Sequence, residues 1–271
     1  MTVSAPNVAL IGFGEAGSTF ALAGDWSGHA RGWDIAPERR AAMEDCGIDP
    51  AEEAATALAG AEIVLSLVTA ESALKVAQDH AAELPEGAIW CDMNSVAPET
   101  KRAAAEAIRA AGGRYVDIAV MAPVDPARLN VPLLIAGPDA EDARSLLATL
   151  GFAKTRVVGD EIGRASAIKM IRSVMVKGLE ALSSECAAAA DAAGVFDEVM
   201  ASLDASEKAT GWAERVAYNR ERMATHGFRR AAEMEESART LLGLGIEPVM
   251  TRGTVLLQRK AAENNERNKG E

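Results

Sequence analysis

The sequence predicts an α/β domain with a mostly parallel sheet over residues 1–158, followed by an all-α domain over residues 159–271. Three observations carry this. Short apolar runs alternate with helical stretches through the first part, the alternation stops near Gly159, and a long helical pattern with an apolar middle follows. Strands alternating with helices form βαβ units, whose crossover helices cover both faces of a parallel sheet.

The strand candidates are Val8–Ile11, Ala30–Trp33, Ile63–Val68, Ala88–Asp92, Tyr115–Val120, Leu133–Ile135 and Thr155–Val158. Between them Pro37–Cys46, Glu71–Glu83 and Ala97–Ala111 read as helices. Glu161–Ala193 reads as one long helix, apolar on nearly every face at its middle, and so expected to be buried between domains or between subunits. Further helices are expected over Phe196–Ala205, Gly211–Arg222, Arg229–Leu242 and Pro248–Ala262, with a frayed polar tail from Glu263. No repeat or low-complexity linker separates the two parts.

Composition narrows the function classes. Of the 271 residues 49% are hydrophobic, and 40 acidic against 28 basic residues give a net charge of -12. Nucleic acid and anionic membranes reward clustered Lys and Arg, so neither is an expected partner; a small anionic ligand needs only one or two cations. Cys46, Cys91 and Cys186 lie far apart, which fits a reducing compartment and indicates neither a disulfide framework nor a zinc site. Met1–Asn7 has no signal-peptide pattern, and no apolar run approaches the ~20 residues of a membrane span. A soluble cytoplasmic protein is expected. His29, His80 and His226 are too scattered for a metal site, and no G-x-S-x-G marks a serine nucleophile.

The strand Val8–Ile11 runs directly into Gly12-Phe13-Gly14-Glu15-Ala16-Gly17, a G-x-G-x-x-G turn opening a helix. Gly12 permits the tight turn, Gly14 lets backbone approach a pyrophosphate, and Gly17 lets helix and strand pack closely. The pyrophosphate then meets free N–H groups and the positive end of the helix dipole. In this strand–turn–helix setting the motif reads as a Rossmann-type dinucleotide site. Asp34, 22 residues after Gly12, ends the second strand, where a carboxylate accepts hydrogen bonds from ribose hydroxyls and repels a 2′-phosphate. The expected cofactor is therefore NAD in preference to NADP, although Arg39 and Arg40 lie close by and Asp34 would also serve to cap the helix at Pro37. Val68, ending the strand Ile63–Val68, Thr69 just after it, and Asn94 complete the expected cofactor contacts.

Four segments together resemble the β-hydroxyacid dehydrogenase and 6-phosphogluconate dehydrogenase superfamily over nearly the whole chain. The closer likeness is to a bacterial branch with an uncharacterised C-terminal helical domain. The first segment is the glycine motif. The second, Cys91-Asp92-Met93-Asn94-Ser95-Val96-Ala97-Pro98, is similar to the family's D-x-S-T-x-x-P segment, which implies that Ser95 contacts substrate beside the nicotinamide. Asn94 or Ser95 would equally cap the helix that follows. The third, Val116–Pro123, resembles D-A-P-V-S-G-G, whose serine and glycines hold a substrate carboxylate; Met121, Ala122 and Pro123 stand there instead. Met121 becomes a substrate-side position without a hydroxyl donor, and Pro123 has no N–H to offer.

The fourth segment, Gly163–Ser173, resembles G-x-G-x-x-x-K-x-x-x-N, in which the lysine is the catalytic acid/base. Lys169 matches it, and Ser173 replaces the asparagine. Independently of the resemblance, Ala165-Ser166-Ala167-Ile168-Lys169-Met170-Ile171 sets an ammonium in an apolar helical stretch. There it must be paired or lose proton affinity, and a lysine with lowered proton affinity exchanges protons near neutral pH. A snorkelling lysine, or one paired with Glu161, is the plainer alternative. Arg172, Ser173 and Lys177 share or adjoin its face and would offer cations to an anionic substrate.

In the second half His226, Arg229 and Glu233 lie in the densest polar cluster, and the resemblance implies that this helix closes over the substrate pocket, with His226 as a substrate contact. An exposed helix laced with Arg–Glu pairs is the alternative. Trp212 and Tyr218 read as core residues. These features suggest a dehydrogenase that moves hydride between a small, anionic hydroxy compound and a nicotinamide, with Lys169 as general acid/base, in a homodimer. Imine reduction, 6-phosphogluconate-type oxidation and a non-catalytic dinucleotide sensor remain as alternatives.

Overall fold

The structure, a computed structural model, describes residues 6–206, 211–243 and 247–270. The chain divides into two compact units, Met1–Lys169 and Met170–Glu271.

The first unit holds eight strands: β1 (Val8–Ile11), β2 (Ala30–Trp33), β3 (Asp49–Pro50), β4 (Ile63–Ser66), β5 (Ile89–Asp92), β6 (Arg114–Val120), β7 (Leu133–Ala136) and β8 (Thr155–Gly159). They form one sheet in the order β3-β2-β1-β4-β5-β6-β7-β8. All neighbours run parallel except β6 and β7. β1, β4 and β5 are buried at every residue, as strands covered on both faces must be. Because side chains alternate, Leu10, Leu65 and Cys91 feed one core, and Ile11, Val64 and Trp90 feed the other.

The crossover helices are α1 (Glu15–Gly24), α2 (Pro37–Ala41), α3 (Ala54–Leu58), α4 (Ala73–His80), α5 (Pro98–Ala110) and α6 (Ala140–Thr149). The sequence reading missed β3, a two-residue edge strand containing a proline, which only the edge of a sheet tolerates. The expected helices Pro37–Cys46 and Glu71–Glu83 each break into an α-helix and a terminal 3₁₀ turn, at Glu44–Cys46 and Ala81–Glu83. Among the described residues no strand follows β8.

α7 (Arg164–Ala193) begins in the first unit and continues into the second, which adds α8 (Phe196–Ser206), α9 (Trp212–Gly243) and α10 (Val249–Gly270). Here the sequence reading needs two corrections. The helices expected over Gly211–Arg222 and Arg229–Leu242 are one helix, running straight through His226-Gly227-Phe228. Gly227 is a contact glycine: a Cβ on it would lie 2.2 Å from the Gln258 carbonyl oxygen and 2.9 Å from the Ala262 Cβ of α10. The tail from Glu263 is helical through Gly270, and Asn265 Nδ2 donates to the Ala224 carbonyl at 3.0 Å. α7 is not covered along its whole length in the single chain, since Ile171, Met175, Leu179 and Leu182 are exposed. Among the described residues no helix is long and apolar enough to cross a membrane.

Candidate functional site

The glycine turn has the stereochemistry its sequence demands. Gly12 sits at φ +93°, where a Cβ would come within 2.7 Å of the Leu67 carbonyl oxygen and 2.9 Å of Val68 Cγ1. Gly17 approaches Gly12 so closely that a Cβ would meet its carbonyl oxygen at 2.9 Å. At Gly14 a Cβ would meet nothing within 4 Å, so the surface above the turn is open. No side chain caps the N-terminus of α1, where the backbone of Glu15, Ala16 and Gly17 forms the first turn. Phe13 contributes backbone only: its ring is buried in the core, and its N–H donates to Asp34 Oδ2 at 2.7 Å.

Asp34 therefore braces the turn from the end of β2. Its other oxygen accepts from the Ala36 N–H at 2.9 Å, a local turn rather than a side-chain cap on α2, which has none. Arg40 Nη1 donates to the Asp34 carbonyl at 2.7 Å, and its Nη2 lies 3.5 Å from Glu52. Val68 borders the turn, while Thr69 is exposed and donates to Ser72 Oγ at 3.1 Å.

A polar cluster lies beside it at the end of β5. Asp92 Oδ1 accepts from the Asn94 N–H at 2.9 Å, from Asn94 Nδ2 at 2.8 Å and from Lys101 Nζ at 2.8 Å. Asp92 Oδ2 accepts from the Tyr115 hydroxyl at 2.7 Å, and Asn94 Nδ2 also donates to Ser66 Oγ at 3.0 Å. Asn94 Oδ1 is buried with no hydrogen-bond partner, an acceptor left for a ligand or a water. Ser95, the next residue, is half-buried, and its hydroxyl accepts from Lys169 Nζ. Lys169 is half-buried, and its ammonium is turned onto the β5 loop.

The start of α7 is fixed from beneath. Asp117 Oδ2, fully buried on β6, accepts from the Gly163 N–H at 3.1 Å and the Ser166 N–H at 3.0 Å, satisfying donors that a helix start leaves open. The Ser166 hydroxyl donates to the Val96 carbonyl. Burial pushes the Asp117 carboxyl above its ordinary range, with Lys101 pulling the other way. Burial, reinforced by Asp92, likewise holds the Tyr115 hydroxyl protonated, and the Cys91 thiol is raised for the same reasons.

The sequence reading overlooked Ser66, Lys101, Tyr115 and the roles of Asp92 and Asp117. A signal existed for Lys101: with Ala104, Ala105 and Ile108 it occupies the buried stripe of α5, where a cation demands a partner. Met121 is half-buried against the cluster of Ala119, Leu134, Ala136 and Ala165, and its amide donates to the Pro132 carbonyl at 2.9 Å.

Arg172, Ser173 and His226 belong to the second unit; Arg172 is exposed, Ser173 buried and His226 half-buried. Lys177 is buried in an ion pair with Glu233, which also receives Arg229 at 2.7 Å, and Arg230 pairs with Glu180. Arg230 and Glu233 thus tie α9 to α7, while the Arg229–Glu233 pair lies within α9. Tyr218 is 52% exposed, contrary to the core role expected for it, and the Trp212 side chain lies outside the described residues. Among the described residues no group of three or more His, Cys, Asp or Glu is arranged to hold a metal ion.

Residues 7–159 match the family described as the NAD binding domain of 6-phosphogluconate dehydrogenase, and residues 190–261 match one described as Domain of unknown function (DUF1932). A conserved hypothetical protein from Sinorhizobium meliloti 1021 has a similar solved structure, at 35% identity and TM-score 0.75 over 96% of this chain and 89% of that one. The 3-hydroxyisobutyrate dehydrogenase of Pseudomonas aeruginosa is 29% identical over 163 residues, 58% of this chain and 52% of that protein. An imine reductase from Myxococcus stipitatus in complex with NAD+ shares the fold, at 20% identity and TM-score 0.59 over 96% of this chain and 94% of that one.

Proposed function

This chain belongs to the family of the NAD-binding domain of 6-phosphogluconate dehydrogenase, and from that premise we propose that it is a nicotinamide-dependent dehydrogenase acting on a small hydroxy compound, with Lys169 as general acid/base. The observation that carries the reading is the Lys169 ammonium turned onto Ser95 Oγ, on the loop after β5 and at the same end of the sheet as the glycine turn. The residues present fit a dinucleotide. Gly14 is open where a pyrophosphate would lie, α1 offers uncapped N–H groups, and Asn94 Oδ1 waits buried without a donor. The bound nicotinamide supplies the acceptor or donor of hydride.

The chain's own residues supply the rest. The backbone of Gly12–Gly17 and the carboxylate of Asp34 hold and orient the dinucleotide. In oxidation, neutral Lys169 takes the proton from the substrate hydroxyl; in reduction, its ammonium returns that proton to the developing alkoxide. Ser95 fixes the amine by hydrogen bonding, which confines proton transfer to one direction. Asp34 supports NAD over NADP, since its carboxylate repels a 2′-phosphate. Residues 1–158 bind the cofactor in this reading, while residues 159–271, through Arg172, Ser173 and His226, select an anionic substrate. The exposed stripe Ile171, Met175, Leu179 and Leu182 on α7 pairs two copies of the chain.

An imine in place of a carbonyl is the second reading. Met121, Ala122 and Pro123 lack the hydroxyl donor of a carboxylate grip, and the fold is shared with an imine reductase. One screen separates these readings: hydroxy acids, polyols, aromatic alcohols and cyclic imines, each with NAD(H) and NADP(H), followed by nicotinamide absorbance, with Lys169→Ala in parallel. Turnover with NAD that Lys169→Ala loses by about a hundredfold or more, with dinucleotide affinity retained, is the expected result. A Lys169→Ala protein as active as wild type would remove Lys169 from the chemistry. Tight dinucleotide binding without turnover on any class would favour a sensor.

A further inference from the structure

We propose that Lys101 is a positioning residue for the Ser95–Lys169 pair: it holds the Asp92 and Asp117 carboxylates on one cation and so sets where the β5 loop and the first turn of α7 meet. This rests on the reading of Lys169 as acid/base.

Lys101 is 0% exposed, and the acceptors around its Nζ bear on the pair. Its Nζ donates to the Asp92 carbonyl at 2.6 Å and to Asp92 Oδ1 at 2.8 Å, and lies 3.5 Å from Asp117 Oδ1, an oxygen that no hydrogen bond satisfies. Asp92 shapes the turn through Asn94 that presents Ser95. Asp117 holds the N–H groups of Gly163 and Ser166, one turn before Lys169 on the same helix. The two carboxylates therefore govern the two partners separately, and only the ammonium between them joins the halves by charge. Motion of either carboxylate moves Ser95 or Lys169 with it.

A core role alone does not require this chemistry. A methionine has a similar length and an apolar stem, and replacing buried ions by apolar groups of similar volume is often neutral or stabilising when the charges leave together. What an apolar substitute cannot do is fix the distance between two acceptors. The Ser166 hydroxyl on the Val96 carbonyl is a second tie across the same seam, so the seam persists without Lys101 while its register loosens.

The test uses the full chain in four forms: wild type, Lys101→Met, Asp117→Asn and the double variant Lys101→Met/Asp117→Asn. The single Lys101→Met leaves two buried carboxylates without a cation and is expected to lose stability sharply. The double variant removes one charge of each sign and is expected to stay folded by circular dichroism and to bind NAD as Asp117→Asn does. Lysine acylation by acetic anhydride is then followed across pH by mass spectrometry, with the exposed Lys75 and Lys154 as internal references. In the double variant the Lys169 profile is expected to move by roughly half a pH unit or more from that of Asp117→Asn, with the references unmoved. On any substrate from the screen, kcat falls about tenfold while KM changes little.

A folded double variant with the Lys169 profile of Asp117→Asn would overturn the proposal. So would loss of the fold in the double variant, which would make Lys101 a requirement of the core. Labelling needs no substrate, so these results stand apart from an active Lys169→Ala protein, which would strike the catalytic reading alone.

Discussion

Replacing Gly227 by alanine sets two physical effects against each other, and the structure decides the sign. On propensity alone, alanine in a helix interior is favoured over glycine by about 0.8–1 kcal/mol. At Gly227 the added Cβ would lie 2.2 Å from the Gln258 carbonyl oxygen, where ordinary contact begins at 3.4 Å. That oxygen is backbone, so no rotamer change relieves the clash, and α10 must retreat from α9 by about 1 Å. The retreat strains the 3.3 Å hydrogen bond from Gln258 Nε2 to Glu180 and the hold of Asn265 on Ala224. Overpacking of this kind costs about 1–3 kcal/mol, and more where backbone must move. Gly227→Ala is therefore expected to be destabilised by about 1–2 kcal/mol net, read as a lowered urea midpoint by circular dichroism. A variant as stable as wild type, or more stable, would refute the reasoning.

Two further outcomes follow from the second unit. Burial lowers the proton affinity of Lys177 below its ordinary 10.5, against the pull of Glu233. Between the lowered value and 10.5 the unfolded chain holds more protons than the native one, so the free energy of unfolding rises with pH across that window. Lys177→Met should flatten the rise in urea midpoints measured from neutral pH to 10.5, and parallel curves would contradict it. If the apolar stripe on α7 pairs two copies, light scattering finds a dimer at micromolar concentration, and Leu179→Asp, at a position 47% exposed in the single chain, yields monomers. A monomeric wild type would end that reading.

Local patterns were legible where one effect dominated. β1 is a continuous apolar run, β4 and β5 are apolar up to a polar last residue, and the glycine turn carries its own stereochemical demands, so each could be read directly. The helices expected over Gly211–Arg222 and Arg229–Leu242 merge through Gly227, whose reason is a carbonyl oxygen on α10, far along the chain. The polar run after Glu263 looked frayed for the same cause, since its anchor is the Ala224 carbonyl. At the candidate site, Lys169 stood out as a cation among apolar neighbours. Its partner Ser95, and the Asp92–Lys101–Asp117 cluster behind them, come from three separate elements, and only the sheet register that sets Asp92 beside Asp117 brings them together.

The bare N-terminus of α1 has a thermodynamic corollary. A serine or aspartate at the position of Gly14 would satisfy a first-turn donor and, relative to glycine, typically adds about a few tenths of a kcal/mol to stability. This chain forgoes that increment, for the same side chain would obstruct the open ground above the turn. Its ligand-free form is accordingly less stable than its architecture would permit. A dinucleotide that supplies the missing acceptors acts as the last piece of the helix, so affinity and folding draw on the same hydrogen bonds.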